Sequence, residues 1–304
     1  MAAVASRTEV TTTRVLRARR SVFGRLADIW RYRELLVGLV RKELKVKYKN
    51  STLGFLWSLV NPLLYLVVYT IAFQVILRAG IPQFPIFLLS GLLVWNLFSA
   101  GLAAGTTSIV VNAGLVKKVW FPREILVLAS IGAALVHFFL QAAVLLVFIL
   151  VVQHPVAWAY FPLMFFALAV ILLFTAAVAI LLSSINVYLR DTQHFLDLAL
   201  LAWFWLTPIV YPFMVVGNRA KWQVALYMCN PVTSVVLVFQ RAVYAVIDMP
   251  AGSSTRYQTD SILPAWGMGG YAAYVGAVAV FSALLLLFAL YVFGRLENNF
   301  AEEL

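Results

Sequence analysis

An all-α membrane protein with six transmembrane helices is the fold class this sequence predicts, and three observations predict it. Apolar residues make up 63% of the 304 and charged residues only 12%, against roughly 45–50% apolar usage in soluble domains. Six apolar segments are long enough to cross a ~30 Å hydrocarbon layer, which takes a helix of about 20 residues, and Pro- and Gly-bearing breaks separate them. Lys and Arg are distributed unevenly about those segments.

The chain opens on an Arg-rich, acid-poor stretch with three consecutive Thr and no apolar h-region. A secretory signal needs such a region, so residues 1–28 read as a disordered, basic cytosolic tail. An organelle transit peptide has a similar composition.

Residues 29–50 read as an amphipathic helix lying in the membrane interface. Leu35, Leu36, Leu39, Val40 and Leu44 recur at helical spacing while Arg33, Arg41, Lys42 and Lys45 fall elsewhere, the pattern of a helix whose basic heads reach the phosphate layer. The alternation in "LKVKYK" is strand-like and leaves the far end of this helix open. Asn50, Ser51 and Thr52 supply cap and turn chemistry before the first span.

The remaining 51–304 form the six-span domain. The spans fall at about 53–77, 86–110, 125–152, 162–185, 195–216 and 270–293, divided by "RAGIPQFP", "NAGLVKKVWFPRE", "QHPVAWAYFP" and "NVYLRDTQH". Between the fifth and sixth lies a hairpin of about 217–262, in which "WQVALYMC" and "VTSVVLVF" meet at Asn230 and Pro231. Each half is too short to cross. Irregular backbone at membrane depth has to sit inside protein or beside a cavity, so these half-helices read as re-entrant or interfacial; an extracellular surface pair is the alternative.

With six spans, eighteen Lys and Arg fall on the side of the termini and five on the other. The positive-inside rule therefore puts both termini in the cytoplasm.

Several chemistries lack their residues. No G-x-x-x-x-G-K-[ST], H-E-x-x-H, D-x-D or cysteine cluster occurs, which argues against a P-loop nucleotide site, a zinc protease, and a membrane glycosyltransferase or phosphatase. The lone Cys229 reads as packing. Ion-coupled transporters place ionisable groups at the midplane; here the spans offer only Asp197, read as interfacial, and His137, read as facing a neighbouring helix.

Clustered basic residues suit phosphate, so Arg41, Lys42, Lys45, Lys47 and Lys49 are candidates for an anionic headgroup as well as a membrane anchor. Trp57, Tyr65, Tyr69, Trp95, Phe98, Trp203, Phe204, Trp205 and Tyr211 fit interfacial belts, and equally a channel in which sugar C–H faces stack on rings. In "AWFWLTPIVYP", Pro208 and Pro212 are expected to kink the helix and open a cavity.

"VRKELKVKYKNSTLGFLWSLVNPLLYLVVYTIAF", "FLLSGLLVWNLFS", "VKKVWFPREILVLAS", "NVYLRDTQHFLDLALLAWFWLTPIVYP" and "NPVTSVVLVFQRAV" together resemble the permease subunit of type-2 ABC exporters of cell-surface polysaccharide, the class of O-antigen, capsule and teichoic-acid permeases. The resemblance runs from about residue 30 to the end. It implies a homodimer bound to two copies of a separate ATPase, which carries the ATP and Mg; no cofactor, metal or nucleic acid belongs to this chain, and it catalyses nothing itself. It implies a place in the bacterial inner membrane. It implies that residues 112–124 dock the ATPase, with Lys117, Lys118, Trp120, Phe121 and Arg123 exposed and Glu124 beside them, and Arg190 and Asp191 as weaker contacts. The hairpin at Asn230 and Pro231 resembles the family's gate helices. The implied cargo is a polyprenyl-diphosphate-linked glycan whose diphosphate is held by residues 41–49. The chain's style resembles actinobacterial exporters of lipid-bound galactan, while a lipid or drug permease would share the topology.

Overall fold

A computed structural model describes residues 22–47, 49, 57–78, 81–217, 220–244 and 262–304, and all regular structure among them is helical. The expected cap at 50–52, the start of the first span and the far part of the hairpin lie outside the described residues. So do residues 1–21 of the expected tail.

Helix α1 (Val22–Arg31) lies partly inside the stretch expected to be disordered, and α2 (Arg33–Lys47) follows after a break at Tyr32. The interface segment is thus two helices, and "LKVK" continues the second helix instead of forming a strand. Along α2, Leu39 is buried against α6 (Glu124–Val152), whereas Arg41 and Lys45 are exposed.

Helix α3 (Trp57–Thr70) runs on as a π-helix through Ile76. After it come α4 (Phe84–Val111), α5 (Ala113–Lys118), α6, α7 (Phe161–Tyr188) and α8 (Thr192–Trp205). The chain continues through α9 (Met214–Gly217), α10 (Lys221–Met228), α11 (Pro231–Val243), α12 (Met268–Leu296) and the C-terminal turn α13 (Phe300–Glu303). Pro85 and Pro162 stand in the first turns of α4 and α7, where a missing N–H costs nothing.

Four described helices, α4, α6, α7 and α12, are each long and apolar enough to cross a membrane, or five spans if the bent pair α10–α11 counts as one. The expected fifth span is not one continuous helix. Its 14-residue α8 is only about 21 Å long and stops before Pro208, whose missing N–H cannot continue the ladder. The carbonyls freed there are met by neighbours: Gln240 Nε2 donates to Pro208 O at 2.9 Å and Asn230 Nδ2 to Leu206 O at 3.3 Å. A broken helix at membrane depth requires such partners.

Helix α4 is the hub, packed along α6, α7 and α11 and buried over most of its length. Gly105 permits its close approach to α7, because a Cβ there would stand 2.9 Å from Ala179 Cβ. Helix α11 is buried from Val232 to Gln240 and touches α4, α7 and α12, so this half of the hairpin enters the core and is no surface helix. It meets α10 at 93°. Asn230 makes the corner, its side chain accepting from Val232 N at 3.0 Å with Pro231 at the first helical position.

Candidate functional site

Helices α3, α4, α6 and α8, with Lys47 at the end of α2, border a half-open cavity of about 970 Å³. Small residues on α4 and α6, Ser99, Ala100, Ala103 and Ala134, leave this space where larger side chains would fill it. Six expected channel aromatics line it: Trp57, Tyr65, Tyr69, Trp95, Phe204 and Trp205. Five of them form a connected ring set, with Tyr65 stacked on Tyr69 at 5.9 Å, Tyr69 on Phe204 at 6.1 Å, and Trp95 and Trp205 each edge-on to Phe204 at 5.5 Å.

Three expected members lie elsewhere. Phe98 is buried, stacked on Phe174 at 5.8 Å and edge-on to Trp203 at 5.0 Å. Trp203 faces a second, more apolar cavity of about 770 Å³ against Trp222, Tyr227 and Asn230, and its Nε1–H donates to Asn230 Oδ1 at 2.8 Å. Tyr211 donates to Trp205 O at 2.8 Å and pairs with Tyr227 Oη at 2.8 Å. These rings hold the end of α8 to the hairpin. Cys229, expected to pack, is exposed beside that second cavity.

The five basic candidates also divide. Lys47 lines the main cavity and donates to His137 Nε2 at 3.3 Å; burial of its chain lowers its pKa from the ordinary 10.5. Lys42 Nζ donates to Asn112 Oδ1 at 2.6 Å. All five are exposed in the chain, so it is these two contacts that set Lys42 and Lys47 apart from Arg41, Lys45 and Lys49.

At the α5 end of the bundle, Lys117, Lys118 and Trp120 are exposed, Trp120 standing edge-on to Tyr32 at 6.3 Å. Phe121 and Glu124, expected among the docking residues, are only 4% and 1% exposed. Glu124 accepts from Arg25 Nη1 at 2.6 Å, and Arg25 also grips Glu297. Arg123 is half-buried, donating to Glu297 O with its guanidinium 5.5 Å over Phe300. Burial lowers the pKa of Arg123, against the charges of Glu297 and Glu124. These groups tie the loop to the chain's ends. Arg190 and Asp191 are exposed on the α7–α8 turn.

Asn96 and Gln141 escaped the pattern reading, while His137 and Asp197, expected to face a neighbouring helix and the interface, line the cavity with them. His137 and Gln141 are four apart on α6, and that spacing on an apolar helix was the available signal. What it lacked was a partner, since Asn96 and Lys47 come from other helices.

The pattern of the ABC-2 type transporter family matches residues 34–244. The chain is 35% identical over 219 residues to the O-antigen export system permease protein RfbA of Myxococcus xanthus, 71% of this chain and 83% of that protein. Against the protein of that name from Klebsiella pneumoniae it is 30% identical over 274 residues, 89% of this chain and 95% of the relative. The polysialic acid transport protein KpsM of Escherichia coli is 24% identical over 213 residues, 67% of this chain and 79% of that protein. The chain belongs to the ABC-2 type transporter family, as a multi-pass membrane subunit that serves transport and not catalysis.

Proposed function

We propose that the chain is the membrane subunit of an ATP-driven exporter of cell-surface polysaccharide, working as a homodimer with two copies of an ATPase that binds ATP and Mg. The carrying observation is the cavity of about 970 Å³, walled by aromatic rings and bordered by Lys47 at the end of the basic helix. Rings suit sugar faces and a basic edge suits a diphosphate. The relatives named for O-antigen and polysialic acid transport favour the same cargo class.

In this reading a polyprenyl-diphosphate-linked glycan enters from the cytoplasm. Its diphosphate stays beside Lys47 and the exposed Arg41, Lys45 and Lys49, while its sugars pass along the rings. Lys117, Lys118 and Trp120, with Arg190 and Asp191, face the ATPase. The six-span topology has α3 with its π-helical extension as the first span and α8 completed by the broken segment 206–216 as the fifth. Both termini are cytoplasmic and the membrane is the bacterial inner membrane. The resemblance to actinobacterial exporters favours lipid-bound galactan over O-antigen, capsule or teichoic acid.

The test is transport in proteoliposomes holding the chain and its ATPase. ATP-dependent movement of a glycan-bearing polyprenyl diphosphate, lost when Trp57, Trp95 and Trp205 are replaced by Ala, is expected. Movement without any ATPase overturns the proposal, and preference for a sugar-free lipid or a drug makes that the cargo instead.

A further inference from the structure

We infer that Asn96 on α4 and Gln141 on α6 form a rung that hydrogen-bonds sugar hydroxyls at mid-depth of the cavity and so selects carbohydrate; the inference rests on the polysaccharide reading above. Asn96 stands near the middle of α4 and Gln141 just beyond the middle of α6. Asn96 Nδ2 donates to Gln141 Oε1 at 3.0 Å. A primary amide offers two N–H donors and a carbonyl with two lone pairs, so one bond leaves most of this capacity open. Among the described residues Asn96 Oδ1 and Gln141 Nε2 have no other protein partner, and both side chains line the cavity.

A clamp between the helices uses only one bond of this capacity. Interhelical hydrogen bonds in a membrane stabilise only modestly, whereas open amide groups facing hydrocarbon are costly. The pair is tolerable only where something polar fills the space. Its surroundings restrict what that is. Trp95 is the preceding residue of the chain, and Phe204 closes the same wall. Ser99 and Ala100, on the following turn of α4, leave room. A lipid tail would leave both amides unpaired. A phosphate at the pair would meet the Asn96 carbonyl, an acceptor facing an acceptor, and its place in the proposed function is beside Lys47. A sugar satisfies every group, because its hydroxyls both donate and accept while its C–H faces lie on rings.

The experiment uses the full complex with its ATPase in lipid nanodiscs and two synthetic probes, a polyprenyl diphosphate carrying a galactose tetrasaccharide and the same lipid without sugar. The readout is the concentration of each probe that half-stimulates ATP hydrolysis. Asn96→Leu and Gln141→Leu are each expected to raise that concentration about five- to tenfold for the sugar-bearing probe, the size of one net hydrogen bond, and to leave the bare lipid unchanged. An equal rise for both probes, or no rise, overturns the rung alone. A wild-type complex that treats the two probes identically overturns the polysaccharide reading and the rung with it. A second measurement needs no variant: the wild-type complex is photolabelled with the sugar-bearing probe carrying a diazirine on its second sugar. Label within 92–103 and 134–141 is expected, and label confined to other segments overturns the inference.

Discussion

Arg25 and Glu297, 272 positions apart, are joined by two parallel hydrogen bonds, Nη2 to Oε1 at 2.6 Å and Nη1 to Oε2 at 3.1 Å. Nη1 also reaches the buried Glu124 at 2.6 Å. One guanidinium therefore ties the first described helix to the start of α6 and to the chain just past α12. Burial opposes its charge, yet the bonds and charges of the two carboxylates outweigh that and raise its pKa. Gly294 makes the seat, because a Cβ there would stand 2.7 Å from Arg25 Nη2.

Arg25→Met should destabilise the folded chain by about 3 kcal/mol, since it strands a buried carboxylate. Thermal unfolding of the purified protein in nanodiscs reads this as a melting point lower by several degrees. Adding Glu124→Gln should recover more than half of the loss. A double variant no better than the single one would show that the stranded charge is not the cause.

His154, in the link between α6 and α7, is buried, donates from Nε2 to Tyr244 O at 3.2 Å and stacks on the Tyr244 ring. Burial lowers its pKa from the ordinary 6.5, against the carbonyls of Tyr244 and Val243. Between the lowered value and 6.5 the unfolded chain binds a proton that the folded chain does not, so stability rises with pH across that window. It is fully present above 6.5 and lost as pH falls through the folded value. Melting points scanned downward from pH 7 should fall below about 6.5, and His154→Gln should flatten the slope. Equal slopes would assign the effect to other groups.

Trp203 and Trp205 are neighbours in sequence with different surroundings, so their alanine variants should part. Trp205→Ala should reduce glycan export while leaving the melting point near wild type, since the ring is half-exposed in the cavity. Trp203→Ala should cost about 3–5 kcal/mol of stability. Trp203→Phe should cost about 1 kcal/mol, because Asn230 Oδ1 loses one of its two donors and keeps Val232 N. Matching stability losses at both positions would contradict this division.

Reversing charge at both Lys117 and Lys118 should weaken co-purification of the ATPase at least tenfold without lowering the melting point, as both are exposed. Phe121→Ala should instead lower the melting point by way of a core cavity. Undiminished co-purification of the Lys117→Glu/Lys118→Glu variant would remove this loop from the docking surface.

Composition and apolar run length made the membrane class and the positions of α4, α6, α7 and α12 legible, because a span is specified locally by length and hydropathy. The turn at Asn230–Pro231 was legible for a similar reason: a cap followed by proline acts on its own backbone. The site was read only in part. Trp57, Tyr65, Tyr69, Trp95, Phe204 and Trp205 share a cavity, whereas Phe98, Trp203 and Tyr211 belong to packing and hairpin contacts.

Sequence by itself determined which segments avoid water, where they break, and that basic charge gathers before the first span. Tertiary structure alone decided that Phe121 and Glu124 face inward, that Arg25 joins the two ends, and that Asn96 meets Gln141. The reason is physical. Hydropathy and capping act within a few residues of one helix, whereas the facing of a side chain and the partner of a buried polar group depend on the helix that packs opposite, which no local spacing encodes.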